Sequence, residues 1–190
     1  MKKSAEADTR SFLDPIAAIR SAHIRDGAIV ADFGSGSGFF ARAAARAVGP
    51  RGRVWAIDVH RDMLARLKSI GAAEGLRNID IVAGDCEARG GSQLADDSMD
   101  MVIAANILFS ATDRDALVEE IWRVLRSGKG GRKQGRALVI DWKRAFSFGP
   151  EKRHMISEDE ARALFERGGF QFVESVPGGA YHWGFVVQKV

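Results

Sequence analysis

The chain has 190 residues and is 46% apolar, which fits one domain with a sizeable core. Its 28 lysines and arginines against 25 acids leave a modest net charge of +3, and its single cysteine, Cys86, excludes an internal disulfide or a cysteine-based zinc cluster, so no metal is expected. No run approaches the roughly 20 apolar residues of a membrane span, and Met1 to Arg10 lacks the apolar centre of a signal peptide, so a cytoplasmic protein is the expectation.

Residues 1–10 read as a flexible tail ahead of one domain over 11–190. Phe12, Leu13, Ile16 and Ile19 recur at near-helical spacing, with Asp14 as cap and Pro15 in the first turn. After the Asp26-Gly27 turn, the apolar run Ala28 to Ala31 predicts a buried strand ending in Asp32. Gly34-Ser35-Gly36-Ser37-Gly38 follows, and then the helix-favouring stretch from Phe39 to Val48. Strand, tight glycine turn and helix bring backbone N–H groups and a helix N-terminus up to a ligand. The spacing is not the dinucleotide fingerprint, because Phe39 stands where its third glycine belongs.

Gly49-Pro50 stops that helix, and Arg53 to Ile57 predicts the second strand, ending in Asp58. Met63, Leu64, Leu67 and Ile70 form a helical stripe, and Ile79 to Ala83 is the third strand, ending at Gly84-Asp85-Cys86. Gly90-Gly91-Ser92 opens a loop with at most a short helix. Met99 to Ala105 is nearly all apolar and reads as a central strand. Thr112-Asp113 caps a helix whose buried stripe is Leu117, Val118, Ile121, Val124 and Leu125. Arg123 to Arg136 carries no acid, and is read as a helix C-terminus and a solvated loop. Ala137 to Trp142 is the fifth strand. Ser157 to Glu160 is a capping box opening a helix through Arg167. Phe170 to Val176 and Tyr181 to Lys189 predict an antiparallel pair around Pro177-Gly178-Gly179.

The glycine loop, with Asp32 two residues before its first glycine, resembles the first motif of the class I S-adenosylmethionine (SAM) methyltransferases. The count and order of elements match that family from about residue 12 to the end. The resemblance implies a doubly wound α/β fold: a mostly parallel seven-stranded sheet in the order 3-2-1-4-5-7-6, strand 7 antiparallel, with helices on both faces. Ala104-Ala-Asn-Ile-Leu-Phe-Ser110, the capped helix and Arg123-Val-Leu-Arg126 look like the small-molecule branch, such as the quinone-biosynthesis C-methyltransferases and the arsenite methyltransferases. Arsenite chemistry needs several thiols, and this chain has one. The connection Ser127 to Gly135 is longer and more basic than the family's short turn and is expected at the amino edge of the sheet.

Open α/β sheets bind ligands at the carboxyl ends of the strands. The resemblance implies SAM there, with S-adenosylhomocysteine as product. Asp32 would order the glycines or meet the methionine ammonium, directly or through water; Gly34, Ser35, Gly36 and Gly38 would hold the cofactor at the loop, Asp58 the ribose diol, and Asp85 with the Cys86 amide the adenine, while Val59 or Met63 would pack on the ring. Core packing is the rival reading of Met63. Asn106 lies where the family places the sulfonium and the acceptor, with a loop cap as the alternative. Asp141 and His154 are the candidate proton acceptors, against packing at the strand end and plain solvation respectively. Trp142, Phe146 and Phe148 would wall an acceptor pocket, and Lys143, Arg144, Arg153 and His154 would meet an anion.

The leading expectation is methyl transfer by in-line displacement to a small-molecule acceptor. RNA or a protein docked on the basic 143–154 segment is the alternative, since Val48 to Asp58 also resembles fibrillarin-like and tRNA methyltransferases. A non-catalytic SAM-binding module is a third reading, and a nicotinamide dehydrogenase a distant fourth. Neither the acceptor nor the oligomeric state is written in the sequence.

Overall fold

The computed structural model describes residues 12–131, 133–143, 151 and 154–190. The expected 1–10 tail lies outside them, as do Arg132, Arg144, Phe146, Phe148, Lys152 and Arg153. Seven strands form one sheet: β1 (Ile29–Phe33), β2 (Arg53–Asp58), β3 (Ile79–Ala83), β4 (Met101–Ala105), β5 (Arg136–Trp142), β6 (Phe170–Ser175) and β7 (His182–Lys189). Their order is β3-β2-β1-β4-β5-β7-β6, as the resemblance implies. β7 runs antiparallel to both neighbours, and the other pairings are parallel. The helices are α1 (Pro15–Ser21), α2 (Phe39–Val48), α3 (Arg61–Ala73), α4 (Arg114–Val124) and α5 (Glu158–Arg167).

The caps are those written in the sequence. Asp14 accepts from the Ile16 amide at 2.9 Å ahead of Pro15, and Asp113 accepts from the Ala116 amide at 3.0 Å. Ser157 and Glu160 complete the reciprocal capping box of α5. Each such cap holds a donor that a helix start otherwise leaves orphaned, worth about 1 kcal/mol. α2 differs: its cap position is Gly38, left-handed, with no side-chain bond.

Alternation along the strands splits the core into two layers. Ala137 and Val139 of β5 join Phe33, Val102, Ala104 and the buried faces of α4 and α5. Leu138 and Ile140 face the other way, with Val30, Ile103, α1 and the alanine-rich face of α2. β4 starts at Met101 rather than Met99, which makes an isolated bridge to Leu125. Residues 84–98 hold no helix.

The basic stretch 123–136 lies at the amino edge but is less solvated than expected. Arg126 pairs with Asp100, and Arg136 with Glu174 at 2.9 Å. Arg123 turns inward to a buried acid on its own helix. These contacts tie the segment to the sheet, where the sequence reading left it free.

Candidate functional site

The strand order reverses between β1 and β4, and both strands end at the same edge as β2, β3 and β5. A cleft of about 200 Å³ opens there, lined by Gly34, Asp58, Val59, Gly84 to Glu87, Asn106, Ile107 and Ser110 among others. That is below the roughly 300–1,000 Å³ of a closed small-molecule pocket, and the cleft is open along its rim. Two larger clefts, of about 750 and 560 Å³, lie at the amino edge beside Arg25 and Arg136 and along Trp122 and Lys189. Neither contains the carboxyl end of one of the parallel strands β1 to β5, where open α/β sheets bind ligands.

The glycine loop is held from beneath. Its Ser35 amide donates to the Ile57 carbonyl at 3.0 Å, and the Gly38 amide to Ser35 at 2.8 Å. Gly36 donates to Asp58 Oδ2 at 2.8 Å. Gly34, Gly36 and Gly38 all have positive φ. They are not equivalent. A Cβ on Gly38 would strike Leu67, whereas one on Gly36 would meet nothing within 4 Å. Gly38 serves the fold; Gly36 borders open space.

Asp58 is 8% exposed and well occupied. Besides Gly36, its other oxygen takes the His60 amide at 2.9 Å and lies 2.8 Å from His60 Nδ1. Burial raises its pKa, but the amides of His60 and Gly36 and the His60 ring together hold it below the ordinary value. Asp32 is the opposite case. It is 2% exposed, and its Oδ2 has no hydrogen-bond partner. Burial pushes its pKa up to about 8 against the Ala41 amide, with Asp58 adding to the rise. Two more buried polar atoms here lack partners, Ser35 Oγ and Asn106 Oδ1. Asn106 has φ +55, and its amide donates to the Ile140 carbonyl at 2.8 Å.

The remaining candidates fall into three groups. Asp85 and Cys86 line the cleft. Asp85 accepts the Glu87 amide at 2.9 Å, and the Cys86 thiol is buried, which pushes its pKa up and leaves it inert. Val59 lines the cleft and is 58% exposed; Met63 is 39% exposed one turn into α3, so it does not fill the core as its stripe predicts. The stripe is narrower than it reads, with Leu64 and Leu67 buried.

Asp141 is fully buried, and its carboxylate takes the Trp142 amide at 2.7 Å and the Phe109 amide at 3.2 Å. It holds the loop that follows Asn106 rather than lining the cleft. Burial raises its pKa to about 6 despite those amides. His154 is exposed; its amide donates to the Glu151 carbonyl, and its own carbonyl accepts from Arg114. Lys143 donates to Gly179 at 2.9 Å.

One network escaped the sequence reading. Glu120, on α4, is fully buried and takes the Gly90 and Ser92 amides, the Ser92 hydroxyl and the Arg123 guanidinium. Its signal was an acid on the apolar face of a helix, three residues before an arginine.

A family model described as a methyltransferase domain matches residues 30–128. An arsenite methyltransferase of Halobacterium salinarum is 28% identical over 163 residues, covering 80% of this chain and 39% of that protein. A ubiquinone/menaquinone biosynthesis C-methyltransferase of Hydrogenovibrio crunogenus is 28% identical over 158 residues, 76% of this chain and 59% of that one. The chain thus spans less than two thirds of either relative. The crystal structure of a SAM-dependent methyltransferase from Aquifex aeolicus superposes with a TM-score of 0.84 at 24% identity, covering 97% of this chain and 94% of that one. A seven-stranded sheet in this order, a glycine loop at its switch point and a family match across the cleft-forming half place the chain in one group: it belongs to the class I, SAM-dependent methyltransferase domain family.

Proposed function

We propose that this domain transfers a methyl group from SAM to a small-molecule acceptor. The carrying observation is the fit of the cleft to a cationic, amino-acid-bearing nucleoside. Gly36 faces open space, Asn106 lines the cleft, and three buried polar atoms of these strand ends and loops, on Asp32, Ser35 and Asn106, have no hydrogen-bond partner. Unmatched buried groups are costly and point to a missing partner.

In this reading the uncapped start of α2 and the Gly36 backbone receive the carboxylate of the methionine part. Asp32 meets its ammonium, directly or through water. Asp58 offers its remaining lone pairs to the ribose hydroxyls while continuing to hold Gly36 and His60. Asp85 and the Cys86 amide take the adenine edge, and the exposed Val59 packs on its face. Asn106 stands at the junction of donor and acceptor. The bound cofactor supplies a methyl already activated by its sulfonium. What the protein must add is alignment and exclusion of water, which can contribute about 7–11 kcal/mol.

The named relatives support a small acceptor, since the printed names of both concern small molecules. With one buried cysteine this chain does not offer the thiols that arsenite would need. Lys143, part of the basic segment that an RNA or protein reading relies on, is tied to Gly179 and Tyr181.

Transfer of labelled methyl from SAM to a panel of quinones, phenols and amines tests the reading, with S-adenosylhomocysteine binding followed by calorimetry. Transfer to a small acceptor is expected. Transfer only to RNA, with affinity falling steeply in salt, would overturn it, as would tight binding with no transfer to any class.

A further inference from the structure

In the proposed reading the cleft's adenine side is a loop without regular structure, yet it is anchored to α4 at several points. Residues 84–93 leave β3 and fold back on themselves. A Cβ on Gly84 would collide with the Gly91 carbonyl oxygen, and one on Gly91 with the Asp85 carbonyl oxygen. The two glycines therefore pack backbone against backbone, and moving 90–92 moves 84–86. α4 holds this fold at two points. Glu87 reaches out to the amides of Thr112 and Asp113, both at 2.7 Å, at the start of that helix. Two turns later Glu120 reaches in the other direction, taking Gly90 N at 2.8 Å and Ser92 N at 3.1 Å together with the Ser92 hydroxyl.

A fully buried carboxylate is expensive unless its charge is matched. Here Arg123 supplies the match, with Nε and a terminal nitrogen at 2.8 and 2.7 Å, and also binds the Leu94 carbonyl at 2.9 Å and the Asp96 carboxylate. Burial by itself would raise the Glu120 pKa, but the arginine, the Ser92 hydroxyl and the two amides bring it to about 2. The charge is fixed at any physiological pH. A core position on α4 filled by leucine would pack as well and would hold no loop.

We propose that Glu120, neutralised by Arg123, is a positioning residue for the cofactor: by gripping the 90–92 backbone it sets, through the Gly84–Gly91 contact, where the Asp85 carboxylate and the Cys86 amide stand. The proposal rests on the donor-site reading above. Glu120 touches no substrate. It acts as the support that keeps a binding loop in its productive place before the ligand arrives.

The test uses the full chain and two probes, S-adenosylhomocysteine and 5′-methylthioadenosine, which keeps the adenine and ribose but lacks the amino acid. Calorimetry well below the melting temperature is run on Glu120→Gln, Ser92→Ala and Asp58→Ala. Hydrogen exchange follows the Gly90 and Ser92 amides. Glu120→Gln is expected to weaken both probes by the same factor, about tenfold, with faster exchange at those two amides; Ser92→Ala should give a smaller change of the same pattern. If Glu120→Gln melts earlier but binds both probes as the wild type does, its role is only structural and the proposal falls. If Glu120→Gln does not fold, wild-type affinity in Ser92→Ala overturns it in the same way. Asp58→Ala separates the two layers of inference: weak binding there with normal binding in Glu120→Gln sinks the positioning role alone, while normal binding in Asp58→Ala sinks the donor-site reading and the proposal with it.

Discussion

The ends of β1 to β3, and the ends of β4 and β5 with the start of antiparallel β7, lie on one edge of one sheet, but they are built differently. On the first side, Asp58, Glu87 and Glu120 each hold two backbone amides. Charge there is spent on fixing loops. On the second side, Asp141 likewise holds two amides, of Phe109 and Trp142, but it is fully buried and does not line the cleft, and His182 is 3% exposed with neither ring nitrogen bonded. Its ring lies against Trp142, centroids 4.2 Å apart. The difference teaches that a site can be preorganised for one ligand and merely walled for another. In the proposed reading, a cofactor of constant shape and charge repays fixed carboxylates and amides on the first side, and the second side is left to the acceptor.

The glycine loop gives the largest expected effects, and it divides cleanly. Gly36→Val should remain folded, at a cost of about 1–2 kcal/mol for its left-handed backbone, yet lose S-adenosylhomocysteine binding altogether, because its side chain enters the open space. Gly38→Ala should do the reverse in kind: the collision with Leu67 should lower the melting temperature first, with binding lost only as a consequence. Calorimetry and thermal melts on the two variants tell them apart, and normal binding by Gly36→Val would remove the loop from the site. Asp58→Ala comes next. It removes an acceptor of both loop and ligand donors, so affinity should fall by about 2 kcal/mol or more, roughly 30-fold.

Asp32 sharpens the comparison through pH. Its folded-state pKa of about 8 lies above the ordinary value of 3.8, so the native chain keeps a proton the unfolded chain has lost. Its contribution to stability is therefore full at low pH and declines as pH rises from about 4 through about 8. Asp32→Asn should remove that slope. Denaturant unfolding of both chains at pH 5, 7 and 9 measures it, and parallel pH profiles would show that the burial of Asp32 carries no such cost.

How much of this was legible depends on what each residue needs. The helix from Phe39 to Val48 and the strand from Ile79 to Ala83 were readable to the residue, because local punctuation, Gly38 and Gly49 or Asn78 and Gly84, coincides with their ends. Sheet order was readable only through resemblance, since periodicity says nothing about neighbours. Glu120 was hidden because its partners, Gly90 and Ser92, lie about thirty residues away, in a loop with no pattern of its own. Met63 misled because its spacing fits the stripe while its side chain falls on the rim of α3. Helical phase gives the face of a residue, not how far the sheet extends beneath it.

The smallest effect tests the walled side. Leaving a buried imidazole without partners costs free energy that a phenyl ring of similar shape does not incur. His182→Phe, kept against Trp142, should therefore stabilise the chain by about 1 kcal/mol at pH 8. Burial and the nearby Lys143 charge lower the histidine's folded-state pKa to about 4, from an ordinary value of 6.5. The wild type thus loses stability as pH falls from 6.5 towards 4, because the unfolded chain takes up a proton that the folded chain refuses. The phenylalanine chain has no such loss, so its advantage should be larger at pH 5 than at pH 8. S-adenosylhomocysteine affinity should stay within twofold throughout, since nothing on the donor side changes. If His182→Phe is instead destabilised, or binds the cofactor product weakly, then His182 has a partner on the donor side and the two ends of the sheet edge are one site rather than two.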